Sequence, residues 1–163
     1  IESAINSILV NGSQTTEFCP QKGVRQGDPL SPFLFNVVAE GLNILLSRAK
    51  ELRILKGVAV GNSEVIVSHL QFADDTIIFC EAERVEIVAI KRILRCFEMV
   101  SGLKINFHKS MICGMGVDNR LVEEFANILN CRSHKLPLKY LGLPLGANTG
   151  RKQTWQPVVD KYK

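Results

Sequence analysis

Apolar and polar residues follow two rhythms along this chain. Some stretches alternate or form short apolar bursts, which suits strands. Others repeat every three to four residues, which suits helices. The first strand signals are Ala4–Val10 and Gln14–Cys19, joined by Asn11-Gly12. Asn and Gly both tolerate positive φ, so this pair predicts a tight hairpin. Pro20 and the polar run Gly23-Val24-Arg25-Gln26-Gly27-Asp28-Pro29 break the pattern. A helix then opens with Ser31 as N-cap and Pro32 at its first position. Phe35, Val38, Leu42, Leu45, Leu46 and Ala49 share one face of it, and Asn36, Glu40, Asn43, Ser47 and Lys50 the other, as far as about Glu51.

Lys56–Val60 reads as a short strand and Gly61-Asn62 as a turn. The run VIVSHLQFADDTIIFC, Val65 to Cys80, holds two apolar segments around Asp74 and Asp75. It predicts two antiparallel strands with Ala73-Asp74-Asp75 at or beside the turn. A second helix spans about Arg84 to Val100, with Ile90, Ile93, Leu94, Phe97 and Val100 inward and Lys91, Arg95 and Glu98 outward; Ser101-Gly102 ends it. Ser110–Cys113 reads as a strand, and Asp118 caps a third helix with the face Leu121, Val122, Phe125, Ile128 and Leu129. Leu138–Leu145, broken by Gly142 and Pro144, fits an edge strand or hairpin, and a polar tail follows from Asn148. Helices interspersed with short strands predict an α+β fold, an antiparallel sheet with helices packed on one face. That pattern carries no function by itself.

Composition narrows the class. With 163 residues, 46% apolar and 22% charged, the chain is one domain's worth of globular protein. Its five cysteines form no CxxC pair, which argues for free thiols over a disulfide frame or a zinc site. No continuous apolar run reaches membrane-spanning length and no signal peptide is evident, so no membrane partner is expected. The net charge of +4 is modest, but no Asp or Glu occurs from Phe125 to Val159, where Arg132, Lys135, Lys139, Arg151 and Lys152 fall. Such a stretch attracts polyanions, or is simply a basic solvated surface. The chain begins at Ile1 inside a structured segment, which reads as a fragment of a longer protein.

Asp74 and Asp75 carry the candidate chemistry. Neighbours on a strand point to opposite faces, so the two need not share a role. A carboxylate at a rigid hairpin tip can hold a hard cation such as Mg²⁺. Taken alone, the pair reads first as an ordinary solvated turn, since Asp bonds nearby backbone amides.

Four segments in order change that balance: KGVRQGDPLSPFLFNVVAEGL (Lys22 to Leu42), QFADD (Gln71 to Asp75), SGLKINFHKS (Ser101 to Ser110) and KYLGLPLG (Lys139 to Gly146). They resemble successive motifs of the reverse transcriptase of non-LTR (LINE-type) retrotransposons and, more loosely, of group II intron reverse transcriptases. The resemblance covers nearly the whole chain; FADD alone is weak, RQGDPLSP highly specific.

The resemblance implies a fragment of a right-hand polymerase fold. Residues 1–115 would be a partial palm, and 116–163 a primer-grip region with the start of a thumb. It implies RNA-directed DNA polymerisation, in which a DNA primer's 3′-hydroxyl attacks a deoxynucleoside triphosphate on an RNA template. Mg²⁺, or Mn²⁺, would be held by Asp74, with Asp75 in a weaker supporting role. Arg25, Gln26 and Gly27 would lie against the incoming nucleotide and the template base. Lys109 would help protonate the leaving pyrophosphate, with Lys104 as the alternative. Tyr140, Leu141 and Gly142 would grip the primer, though Tyr140 is equally a packed edge-strand aromatic. Work inside the cell, in the nucleus and within a polyprotein, is implied as well.

One departure stands out. The family's first carboxylate motif lies upstream of the RQGDP loop, and the residues before that loop hold only Glu2 and Glu17. A metal-bridging carboxylate is thus missing from this stretch. That leaves as alternatives a non-catalytic remnant that at most binds nucleic acid or a partner, and a different palm enzyme.

Overall fold

The computed structural model describes residues 5–19, 27–61 and 65–160. Arg25 and Gln26, the turn residue Asn62 and Glu2 lie outside the described residues. In order, the elements are β1 (Leu9–Val10), β2 (Ser13–Gln14), α1 (Leu30–Glu51), β3 (Val58–Val60), β4 (Val65–Val67), β5 (His69–Phe72), β6 (Asp75–Ile78), α2 (Arg84–Ser101), β7 (Met111–Ile112), α3 (Asn119–Leu129), β8 (Arg132–Ser133), β9 (Leu138–Tyr140), β10 (Leu143–Leu145) and α4 (Lys152–Val159).

The fold is mixed helix and strand, as the pattern predicts. A continuous antiparallel sheet does not form among the described residues. The strands pair two by two: β1–β2, β3–β4, β5–β6 and β9–β10 antiparallel, and β7–β8 parallel. Each strand is only two to four residues long and hydrogen-bonds one neighbour. The parallel pair closes around α3 as a small βαβ unit.

The core lies between α1 and α2. Leu42, Leu46 and Ala49 of α1 meet Ile90 and Phe97 of α2, with Leu55 beneath and Ile78 of β6 against the cluster. Leu46 and Leu55 are fully buried. Val100, expected inward, is 83% exposed and is not among the residues packed on the α1–α2 cluster. The predicted cap also shifts. Ser31 falls inside the first turn of α1, and the Asp28 carboxylate accepts from Leu30 N–H at 2.8 Å. Asp28 thus satisfies a free helix-end amide and places a negative charge at the positive end of the helix dipole. Asp118 caps α3 as expected, accepting from Arg120 N–H at 2.7 Å, and Gly102 ends α2 at φ 71°. The tail read as polar contains α4.

By length and composition α1 is long and apolar enough to cross a membrane, contrary to the sequence expectation. It carries Glu40, Arg48 and Lys50, and its buried stripe packs on α2 as a core helix does. A second apolar stripe, Leu30, Phe33, Val37 and Ile44, is exposed. These positions lie three to seven residues apart, so they form one face turned away from the core.

Direction follows from three bonds. Lys50 Nζ donates to Ile66 O and Asn43 meets His69, so α1 runs antiparallel to β4 and β5. Lys56 N–H meets Glu86 near the start of α2, which then returns along α1. The start of α1, the β5–β6 turn and the C-terminal end of α2 therefore lie toward one end of the molecule.

Candidate active site

Phe72 pairs with Asp75, so the β5–β6 hairpin turns on Ala73-Asp74 alone. Ala73 takes a φ of 49°, a left-handed conformation that costs an L-residue about 1–2 kcal/mol. Both carboxylates are exposed. Pleating sends His69, Gln71, Thr76 and Ile78 toward α1, where His69 bonds Asn43 and Ile78 packs on the core. Leu70, Phe72, Asp75 and Ile77 face away. Asp74 sits at the tip, and Asp75 shares an open face with Phe72, which is 61% exposed. The neighbours thus occupy different settings.

A cleft of about 460 Å³ opens between α1 and β5, lined by Phe35, Asn36, Glu40, Asn43, His69 and Gln71 and reaching Ala73 beside Asp74. His69 Nε2 lies 2.9 Å from Asn43 Oδ1, which can only accept. That assigns the proton of the neutral ring to Nε2, leaving Nδ1 to accept from Ser68 Oγ at 3.1 Å. Asn43 Nδ2 in turn donates to Glu40 Oε1 at 2.9 Å. Burial, and then the charge of Lys50, hold the His69 pKa below its ordinary value. Sequence reasoning had put Glu40 and Asn43 on a solvent face. Their spacing of three was the available signal for the chain of bonds.

Gly27 lies just before α1 with φ 85° and open space where a side chain would project. Lys109 lies in the turn after α2, its N–H bonded to Asn106 O and Oδ1, both at 3.1 Å. Its ammonium, like that of Lys104, is exposed and makes no hydrogen bond or ion pair among the described residues. Tyr140, Leu141 and Gly142 form the tip of the β9–β10 hairpin. Leu143 pairs with Tyr140, so Leu141-Gly142 is the turn, at φ 49° and 86°. The β9–β10 pair packs with α4. No hydrogen bond or ion pair among the described residues joins Lys109 or Tyr140 to the Asp74 hairpin.

Sequence reasoning did not identify Glu81, Glu83 and Glu86, which bring carboxylate oxygens within 4.8 Å of one another. Lys56 already supplies the cation there, its Nζ 2.6 Å from Glu81 and 3.1 Å from Glu83. Those bonds raise the Lys56 pKa. Glu86 is buried, with Oε2 accepting from Lys56 and Glu81 N–H groups and Oε1 unpartnered among the described residues. The cluster fastens the segment after α1 to the start of α2. Cys80 lies beside it, its thiol pushed up to about 11 by burial and then by the Glu86 charge.

Comparison with known proteins agrees with the motif order. The family model described as reverse transcriptase (RNA-dependent DNA polymerase) matches residues 1–145. The retrovirus-related Pol polyprotein from type-2 retrotransposable element R2DM of Drosophila melanogaster is 37% identical over 114 residues, 70% of this chain and 10% of the polyprotein. The Pol polyprotein from type-1 retrotransposable element R2 of Popillia japonica is 34% identical over 100 residues, 61% of this chain and 13% of that one. An uncharacterized mitochondrial protein of Arabidopsis thaliana is 46% identical over 68 residues, 42% of this chain and 56% of its own length. The chain thus spans about a tenth of the Pol relatives and just over half of the plant protein.

Proposed function

This chain belongs to the reverse transcriptase (RNA-dependent DNA polymerase) family, with relatives among R2 non-LTR retrotransposon Pol polyproteins, and from that premise we propose that it is the palm-type part of an RNA-directed DNA polymerase. The observation that carries the reading is the β5–β6 hairpin. It holds Asp74 at an exposed tip, at the same end of the molecule as the Gly27-Asp28 start of α1.

A divalent ion fits the donors present. Asp74 and Asp75 offer hard oxygens open to water, the kind Mg²⁺ or Mn²⁺ accepts while keeping several waters. Such an ion supplies charge stabilisation at phosphate oxygens. Two adjacent carboxylates are short of a full coordination shell, so the working site takes a further carboxylate from elsewhere in the parent protein.

The chain's own residues do the positioning. Asp74 holds the reacting centre, and Asp75, on the open face, supports it. Gly27, with no side chain, lets backbone approach a base pair closely, flanked by Arg25 and Gln26 for phosphate and base contacts. Lys109, in the turn after α2, is the proton donor to pyrophosphate, and Lys104 the alternative. Tyr140, Leu141 and Gly142 support the primer end from a tight turn. Residues 1–115 make up the partial palm, and residues 116–163 lead into the thumb. RNA template, DNA primer and deoxynucleoside triphosphates are the substrates, and the setting is the nucleus.

The test is primer extension by the full-length parent protein. Asp74→Asn is expected to abolish it and Asp75→Asn to weaken it. Near-wild-type extension by Asp74→Asn alongside loss in Asp75→Asn overturns the assignment. The 163-residue chain by itself is expected to give no template-dependent product.

A further inference from the structure

A chain of hydrogen bonds fastens the base of the β5–β6 hairpin to α1. We infer that His69 is a positioning residue for nucleotidyl transfer: its bond to Asn43 sets the angle at which the hairpin presents Asp74. This rests on the polymerase reading and adds to it a residue that acts only through Asp74.

His69 pairs with Ile78, and that rung is where the hairpin is tied down. Ile78 packs on the α1–α2 core, and His69 Nε2 lies 2.9 Å from Asn43 Oδ1. Beyond the rung the support thins. Gln71 and Ala73 border the cleft of about 460 Å³, and Leu70 and Phe72 are at least half exposed. The tip is therefore held from a rung four residues back from Ala73, which at about 3.3 Å per residue is about 13 Å of strand. A small tilt at the rung moves Asp74 further than it moves His69. Apolar packing such as that of Ile78 has no preferred direction, whereas a hydrogen bond weakens steeply as it bends. The His69–Asn43 bond is the contact that fixes the tilt.

Asn43 is a prepared acceptor. Its Nδ2 donates to Glu40 Oε1 at 2.9 Å, and Ser47 Oγ donates to its Oδ1 at 3.3 Å. Those bonds set the amide's orientation, and Ser68 Oγ, 3.1 Å from Nδ1, sets the ring's. Glu40, Asn43 and Ser47 all belong to α1. Phe35 and Asn36, nearer the start of that helix, border the same cleft as Ala73. One joint thus sets the Asp74 hairpin against the helix that follows Gly27.

A simpler account is a half-buried histidine that only satisfies its ring. That account predicts activity falling in step with the folded fraction. Positioning predicts slow turnover by protein that stays folded, since a misplacement of about 1 Å at a reacting centre costs about a hundredfold in rate.

The experiment follows primer extension by the full-length parent at saturating primer–template and varied deoxynucleoside triphosphate, with thermal denaturation alongside. His69→Leu and Asn43→Leu are each expected to lower kcat about ten- to a hundredfold, with KM for the nucleotide within about threefold of wild type. The double variant is expected to be no slower than the slower single, because both act through one bond. His69→Gln keeps an N–H donor and cannot titrate. It is expected to retain most of the turnover and the shape of the pH–rate profile, which separates positioning from acid–base catalysis. In the 163-residue chain, where no activity is needed, His69→Leu is expected to shift the amide resonances of Asp74 and Asp75 and leave those of α3 in place. Three outcomes overturn the inference: wild-type kcat in folded His69→Leu, losses that multiply in the double variant, and unmoved Asp74 and Asp75 amides. If His69→Leu does not fold, Asn43→Leu and His69→Gln decide by the same readouts. Near-wild-type extension by Asp74→Asn, with the resonance shifts intact, would sink the functional reading instead.

Discussion

The β1–β2 hairpin turns through Asn11-Gly12, and the β5–β6 hairpin through Ala73-Asp74. In the first, both turn residues take positive φ, and Asn-Gly is the pair that suits such a turn. Its surroundings contribute little, since Ile8, Leu9 and Val10 are more than half exposed. In the second, the turn residue at positive φ is an alanine, but the strands are tied down. His69 bonds Asn43, Phe79 N–H bonds Ser68 O, and Ile78 rests on the α1–α2 core. One hairpin is specified by its turn, the other by what it packs on. Tertiary support frees the second turn to carry Asp74 instead of the best turn former.

Removing that support should break the contrast most forcefully. Leu46→Ala is expected to cost about 2–5 kcal/mol in urea denaturation, because it leaves a cavity under the buried stripe. Amide exchange at Ile77 and Ile78 should quicken, while the chemical shifts of Val10 and Ser13 stay put. Equal disturbance of both hairpins would show that they are not held independently. Gly12→Ala attacks the turn-specified hairpin. At φ 82° it should cost that hairpin about 1 kcal/mol locally and leave the global midpoint unmoved. A clear fall in the midpoint would mean β1–β2 is part of the core.

Ala73→Gly should act in the opposite direction. Relief at φ 49° outweighs the added freedom of the unfolded chain, for a net gain of about 0.5 kcal/mol. A loss would show that Ala73 is not strained. The smallest effect is a pH dependence at the base of the hairpin. His69 has a folded pKa below 6.5, so the unfolded state binds its proton first as pH falls. Stability from this group is therefore full above 6.5 and declines below it. His69→Gln should flatten that slope, and an unchanged slope would assign the dependence to other groups.

The same contrast explains what could be read in advance. Asn11-Gly12, Gly102 and Asp118 were legible because a turn or cap is decided by a few adjacent residues. The two apolar runs around Asp74 were legible because strand alternation is local, and Asp74 itself stood out through the order of motifs. The N-cap of α1 falls on Pro29, two residues before Ser31, because Asp28 and Ser31 are both residue types that suit a helix start and Asp28 bonds the first helical amide. The Lys56 clamp joins residues 25 to 30 apart in sequence, with no periodic signal to announce it. The Arg95–Phe107 contact, 5.3 Å from guanidinium to ring centre, was invisible for a related reason: Arg95 reads as a solvent-facing helix residue until the chain folds back over it. Helix α4 was missed because a helix with Pro157 inside it and little buried area leaves a weak pattern.

The exposed stripe of Leu30, Phe33, Val37 and Ile44 sets how this chain behaves in a tube. An apolar face of this kind in water favours self-association, so the associated fraction should rise with concentration. Kosmotropic salt should hasten precipitation, because it strengthens the drive to bury apolar surface. Sedimentation velocity over a dilution series would show larger species giving way to monomer, and Val37→Glu should shift that balance toward monomer while leaving the melting temperature nearly unchanged.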